Sequence, residues 1–214
     1  MVESGGHMQL GLFGDAAASE RIIKLALPDA DVSYQANWLD NRQATAFAAR
    51  LKTELQWQQD TIKLFGKLVK IPRLQAWYGD PEAQYQYSGL TMTPLPWHPL
   101  LSQLKQRLEH HCDCRFNSVL ANWYRDGNDS MGMHSDDEPE LGATPVIASL
   151  TLGQARPFAF VHKASKVRTT HTLEHGSLLV MQGETQRNYR HGINKTSRPV
   201  DDRINLTFRY VYPA

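Results

Sequence analysis

The stretch RINLTFRY, residues 203–210, alternates without a break. Side chains along a strand point to opposite faces in turn. Ile204, Leu206, Phe208 and Tyr210 therefore share one face, and Arg203, Asn205, Thr207 and Arg209 share the other. The apolar face calls for a core. The polar face admits two readings, a wet outer surface or a donor set for an anion. Two guanidinium forks, an amide and a hydroxyl suit a carboxylate, which arginine binds in bidentate fashion. SVLANWY, residues 118–124, repeats the logic with the donors Asn122 and Tyr124 on one face.

Upstream of this stretch, short apolar or alternating runs recur: VIASLTLG from Val146, PFAFVHK from Pro157, VRTTHTL from Val167 and SLLVM from Ser177. Turn residues separate them, and many short strands at such spacing predict a β-sandwich or barrel. The first half differs. Ala44, Phe47, Ala48, Leu51 and Leu55 recur at helical spacing and predict a helix over 41–57. TIKLFGKLVKIPR, residues 61–73, alternates around Gly66 and predicts a hairpin tipped near Phe65 to Lys67. YGDPEAQYQYSG, residues 78–89, reads as loop with a short strand. A second helix starts near Pro99, with Leu100, Leu101, Leu104 and Leu108 inward. The fold class is α+β, helices first and then a β-rich core. Residues 1–7 read as a cloning remnant, 8–31 as a loose tail and 32–214 as one domain.

The chain has 214 residues, 41% hydrophobic and 21% charged, enough for a substantial core without staples. A net charge of +1 means that any nucleic-acid surface must come from local clustering. No apolar run is long enough to span a membrane, and the N-terminus lacks the apolar centre of a signal peptide. Cys112 and Cys114 are one residue apart, a spacing that rarely forms a disulfide, so a reduced cytoplasmic setting is expected. A zinc site with His110 and His111 would match no common spacing.

MGMHSDDEPE, residues 131–140, has no apolar stripe. It is either a solvated acidic loop or a metal site. If extended, His134 and Asp136 face the same way. His191, in NYRHGINK and beside a glycine turn, is the best third ligand. Two histidines and a carboxylate with open positions is the facial arrangement of non-heme Fe(II) oxygenases. A dicarboxylate gripped by Arg203 and its neighbours, chelating iron through its other end, explains both sets of residues together.

The pattern N-x-Y, H-x-D-D-E, a distant H, then R-x-N-L-T-F-R resembles the AlkB family of Fe(II)/2-oxoglutarate nucleic-acid dioxygenases. GSLLVMQGETQRNYRHGI, residues 176–193, resembles the family's approach to its second histidine. The resemblance runs from about Ile62 to Tyr210 and implies a double-stranded β-helix, or jelly roll, with flanking N-terminal helices and a nucleotide-recognition lid over about 60–95. It implies Fe(II), 2-oxoglutarate and O2 as cofactors, with His134, Asp136 and His191 on iron. Arg203 would hold the distal carboxylate of 2-oxoglutarate, helped by Asn122, Tyr124, Asn205 and Thr207. Arg209 would steady the cosubstrate and Asp136. The implied reaction is oxidative demethylation of N-alkylated bases such as 1-methyladenine and 3-methylcytosine, in DNA that is double- or single-stranded, by a monomer.

A base must leave the stack to be reached. Tyr85, Tyr87 and Ser88 would receive it, and Asp137 and Glu138 would read a cationic edge; core packing and solvated acids are the plainer readings. Phe65 resembles the wedge residue of the family's duplex-preferring branch. Lys63, Lys67, Lys70 and Arg73 would face phosphates, with Lys163, Lys166 and Arg168 in support. Gln9, Leu10, Leu12 and Phe13 resemble the peptide that binds the bacterial sliding clamp, although they equally suit a tail folded on the domain. The rival functions are the same chemistry on RNA or protein, and a non-catalytic nucleic-acid-binding barrel.

Overall fold

A computed structural model of the chain describes residues 21–64, 66–87 and 90–213. In chain order the elements are β1 (Ile23–Lys24), β2 (Asp31–Gln35), α1 (Asn41–Glu54), β3 (Thr61–Leu64), β4 (Lys67–Lys70), β5 (Leu74–Gly79), β6 (Tyr85–Tyr87), β7 (Leu90–Met92), α2 (Pro99–Cys112), β8 (Ser118–Tyr124), β9 (Met131–His134), a 3-10 turn (Pro139–Leu141), β10 (Ile147–Gly153), β11 (Arg156–His162), β12 (Arg168–Leu173), β13 (Leu178–Gln182), α3 (Thr185–Asn188), β14 (Tyr189–Ile193) and β15 (Arg203–Arg209). A large sheet runs β1-β2-β13-β10-β15-β8-β5 and a small one β12-β11-β14-β9. Strand pairing within both is antiparallel, and the two sheets form the jelly roll.

Both faces of β15 are covered. Ile204, Leu206 and Phe208 join Val119, Ala121, Leu150 and the inward leucines of α1 and α2 in one core. The other face looks toward the space between the sheets, where Ile147, Leu179 and Met181 meet Phe158, Phe160, Tyr189 and Ile193. Arg203, Asn205 and Thr207 are therefore buried, at 1%, 8% and 8% exposure. Register completes the polar set, since β15 places Arg203 opposite Tyr124 and Asn205 opposite Asn122 on β8. The wet-surface reading of that face is excluded.

Several local expectations shift. Helix α1 is capped by Asp40, which accepts from the Gln43 amide at 2.8 Å, but it ends at Glu54 rather than 57. Leu55 turns extended, and Trp57 folds back so that its indole N–H donates to the Leu51 carbonyl. Strand β1 forms inside the segment read as a loose tail. Strand β5, which the reading missed, pairs with β8 along its whole length. Tyr210 leaves the apolar face: pairing stops at Arg209, Val211 is buried in its place, and Tyr210 is exposed. The hairpin β3–β4 pairs Leu64 with Lys67, as the alternation predicts. Gln9, Leu10, Leu12, Phe13, Phe65 and Ser88 lie outside the described residues, as do the side chains of Tyr85 and Tyr87. No helix among the described residues is long and apolar enough to cross a membrane.

Phe208 is fully buried where β15 meets the helices, with Trp97 stacked at 6.5 Å and Phe116 at 6.1 Å. Phe208→Ala is expected to cost about 3–5 kcal/mol through the cavity it leaves. Urea denaturation would measure this, and a loss below about 1 kcal/mol would contradict the packing.

Candidate active site

The site begins with two strands that come unusually close. Strands β9 and β14 pair His134 with His191, with a register irregularity between His191 and Ile193. A Cβ on Gly192 would meet the Met131 carbonyl oxygen at 2.7 Å and that of Gly132 at 2.9 Å. Glycine is needed here for a close backbone approach, not for the turn that the sequence suggested. The two imidazoles consequently lie edge to face, centroids 4.5 Å apart.

Asp136 arrives differently from the expectation. Strand β9 ends at His134, so Asp136 sits in the following loop rather than two places along a strand. That loop is stitched to its neighbour. The Asp136 amide donates to Gln186 Oε1 at 3.0 Å, and the Ser135 hydroxyl donates to the Tyr189 carbonyl at 2.8 Å. His134, Asp136 and His191 each offer one ligand atom, all within 4.8 Å of one another. Asp136 Oδ1 lies 3.8 Å from His134 Nε2, and Oδ2 lies 3.6 Å from His191 Nε2. His134 Nδ1 is 2.9 Å from the Gly132 carbonyl, which only accepts. Nδ1 therefore carries the proton, and the Nε2 lone pair faces Asp136.

Electrostatics favour the forms that a metal needs. Burial opposes ionisation of Asp136, but Arg209, with Nη2 3.4 Å from Oδ1, then His191 and His134 outweigh it and hold the carboxyl below its ordinary range. Burial depresses His191 to about 4 against the partial support of Asp136, so the ring is neutral at neutral pH. Phe158 stacks on it at 5.3 Å.

Deeper in the sheet, burial lowers Arg203 to about 10, leaving it charged at neutral pH. Its Nη2 donates to Thr151 Oγ1 at 2.8 Å, while Nε and Nη1 have no hydrogen-bond partner among the described residues. A buried cation with unspent donors is costly unless an anion meets it. That is the fit expected for one end of a dicarboxylate. Tyr124 lies beside it, ring centroid 5.3 Å from Cζ. Asn205 donates to Ser149 Oγ and accepts from the Thr207 hydroxyl, so those two are largely committed to each other. The cavity, about 400 Å³ of empty space including its mouth, is lined by Asn122, Tyr124, His134, Asp136, Ser149, Asn205, Thr207 and Arg209, with Met131, Phe158, Met181, His191 and Ile193.

Comparison with known proteins agrees with this arrangement. The family model described as the 2OG-Fe(II) oxygenase superfamily matches residues 13–209. The human alpha-ketoglutarate-dependent dioxygenase alkB homolog 3 is 39% identical over 207 residues, covering 91% of this chain and 72% of the relative. The chain belongs to the AlkB family of 2OG-Fe(II) oxygenases. The mouse DNA oxidative demethylase ALKBH2 is 42% identical over 161 residues, covering 72% of this chain and 67% of that protein. A solved structure titled "The structure of OsALKBH1" superposes with a TM-score of 0.65 over 89% of this chain and 100% of that one; at 15% identity it speaks to the jelly-roll fold alone. The AlkB-family chain is thus an Fe(II)/2-oxoglutarate-dependent dioxygenase that uses O2, an oxidative demethylase in its broad chemistry.

The residues expected to meet substrate divide. Lys67 and Lys70 are exposed on the hairpin. Arg73 is not on that surface: it turns inward, and its Nε donates to Asn122 Oδ1 at 2.8 Å. Asp137 is held by Lys163 at 2.9 Å. Glu138 is exposed as a residue, yet the protein crowding its carboxyl strips hydration and raises its pKa. Cys112 and Cys114 are free, and the only metal-competent cluster among the described residues is the one above. The reading missed Gln186, Phe158 and Met181. Gln186 sits in the quoted approach to His191, but nothing in its spacing says which amide it would meet.

Two outcomes follow from this geometry. Gly192→Ala is expected to cost about 1–3 kcal/mol by forcing β9 from β14, and to weaken Mn(II) binding measured by calorimetry; wild-type affinity would refute the close-approach argument. The metal-free protein should lose stability as pH falls from about 6.5 to 4. There the unfolded chain protonates its histidine, near 6.5, while folded His191 stays neutral down to about 4. The effect is roughly 3 kcal/mol by linkage. A pH series of urea midpoints would show it, and His191→Gln should flatten that part of the curve.

Proposed function

We propose that this dioxygenase removes methyl groups from 1-methyladenine and 3-methylcytosine in DNA, duplex as well as single-stranded. The observation that carries the proposal is the convergence of His134, Asp136 and His191 beside Arg209, in a cavity lined by Tyr124, behind which lies a buried arginine with unspent donors. The likeness to the mouse protein named a DNA oxidative demethylase supports the choice of DNA.

In this reading His134, Asp136 and His191 hold Fe(II), and Arg203, Tyr124 and Asn122 take the distal carboxylate of 2-oxoglutarate. When bound, Fe(II) with 2-oxoglutarate and O2 supplies hydroxylation of the N-methyl carbon, which hydrolysis cannot attack; the product sheds formaldehyde. Arg209 keeps Asp136 ionised, and the Gly132 carbonyl keeps the His134 lone pair facing the metal. Phe158, Met131 and Ile193 give the cavity a dry wall. Glu138 suits a cationic base, because a positive ring placed against it would offset the burial that raises its pKa. Asp137 must first leave Lys163 to do the same. The exposed Ile62, Leu68 and Val69 beside Lys67 and Lys70 give the hairpin the mixed apolar and cationic surface that an unstacked duplex requires.

The test is formaldehyde release from a duplex carrying one 1-methyladenine, beside the same single strand and an unmethylated duplex, with Fe(II), ascorbate and 2-oxoglutarate. Both methylated forms should be repaired, His134→Ala should release nothing above background, and Phe65→Ala should lower duplex repair more than single-strand repair. Turnover of 2-oxoglutarate without repair of either form would move the substrate to RNA or protein.

A further inference from the structure

Arg73 leaves the hairpin and enters the site. Its Nε donates to Asn122 Oδ1 at 2.8 Å, its Nη1 to the Ser130 carbonyl at 3.4 Å and its Nη2 to Gln75 Oε1 at 3.4 Å. Gln75 in turn donates to Asp60, the residue before β3. The Ser130 amide donates to the Pro72 carbonyl at 2.8 Å. One guanidinium therefore joins the foot of the hairpin, a cavity-lining amide and the residue that precedes β9.

A guanidinium has only donors, so it selects the oxygen of a carboxamide. With Oδ1 taken, the NH2 of Asn122 is the part left for the cavity. An amide free to flip would present either a donor or an acceptor, and an acceptor repels a carboxylate. We propose that Arg73 is a positioning residue for the cosubstrate: it locks the Asn122 carboxamide with its donor end toward the cavity, so that the amide is always ready for an anionic ligand. The inference rests on the reading of Asn122 as a 2-oxoglutarate donor given above. It assigns Arg73 to the cosubstrate rather than to nucleic-acid phosphates.

The experiment is calorimetric titration of 2-oxoglutarate into the Mn(II)-loaded protein, which needs no nucleic acid and no turnover. Wild type, Arg73→Met, Asn122→Ala and the double variant form a cycle, with urea midpoints taken for each. Arg73→Met should weaken 2-oxoglutarate binding by about tenfold, the worth of one well-made hydrogen bond. In the Asn122→Ala background the same substitution should change affinity by less than about twofold, because its target is gone. If Arg73→Met does not fold, Arg73→Lys takes its place: it keeps the charge, cannot hold three partners at once, and should give a smaller loss that Asn122→Ala also erases. Unchanged affinity in the single variant, or an equal loss in both backgrounds, would overturn the inference while leaving the cosubstrate site intact. Failure of wild-type protein to bind 2-oxoglutarate would overturn the site reading itself, and the inference with it.

Discussion

Asp136 is buried on the loop after β9, and the largely covered Arg209, at the end of β15, lies 3.4 Å from it. That loop follows the small sheet and β15 belongs to the large one, so this pair ties the two halves of the jelly roll at the cavity. A buried ion pair is poor value for stability, since both charges forfeit hydration. Its worth is chemical. Burial alone pushes the Asp136 carboxyl toward its protonated form, which is a poor metal ligand. Arg209 is the strongest of the charges that hold the carboxyl below its ordinary range, and the neutral His191 beside it completes the contrast.

The same trade recurs along β15. A strand covered on both faces would be most stable with apolar residues on both, yet this one buries an arginine, an amide and a hydroxyl on one side and ends in a half-buried arginine. Asn205 and Thr207 soften the cost by bonding to each other and to Ser149. Arg203 does not fully soften it, and two of its donors stay unspent among the described residues. The opposite face offsets this, with Ile204, Leu206 and Phe208 set in the core shared with α1 and α2. The apolar half of the alternation supports the polar half.

Much of this was legible in the sequence because alternation fixes which side chains share a face. RINLTFRY and SVLANWY gave the two strands and their donor faces nearly to the residue. Alternation does not say which faces are covered, so it leaves open whether Arg203 meets water or the protein interior, which the second sheet decides. Asp136 lies past the end of β9 and reaches the site through a bond to Gln186, 50 residues away. Gly192 looked like a turn because glycine often makes one, whereas its purpose is to admit the backbone of β9. Arg73 looked like a surface cation because its neighbours Lys67 and Lys70 are. Each miss concerns a contact between segments distant in the chain, where local pattern carries no information.

Arg73 shows what those distant contacts accomplish. The hairpin would be a free-standing element if its foot ended in solvent. Instead Pro72 and Arg73 both bond to Ser130, and the Ile71 amide closes the foot by donating to the Asp60 carbonyl at 2.9 Å. Ser130 leads directly into the strand that carries His134. An element proposed to meet nucleic acid is thus fastened to the strand of a proposed metal ligand and to a proposed cosubstrate amide. Rigid fastening suits catalysis that depends on holding groups in place, since misplacement by about 1 Å costs far more rate than a surface loop could recover through binding.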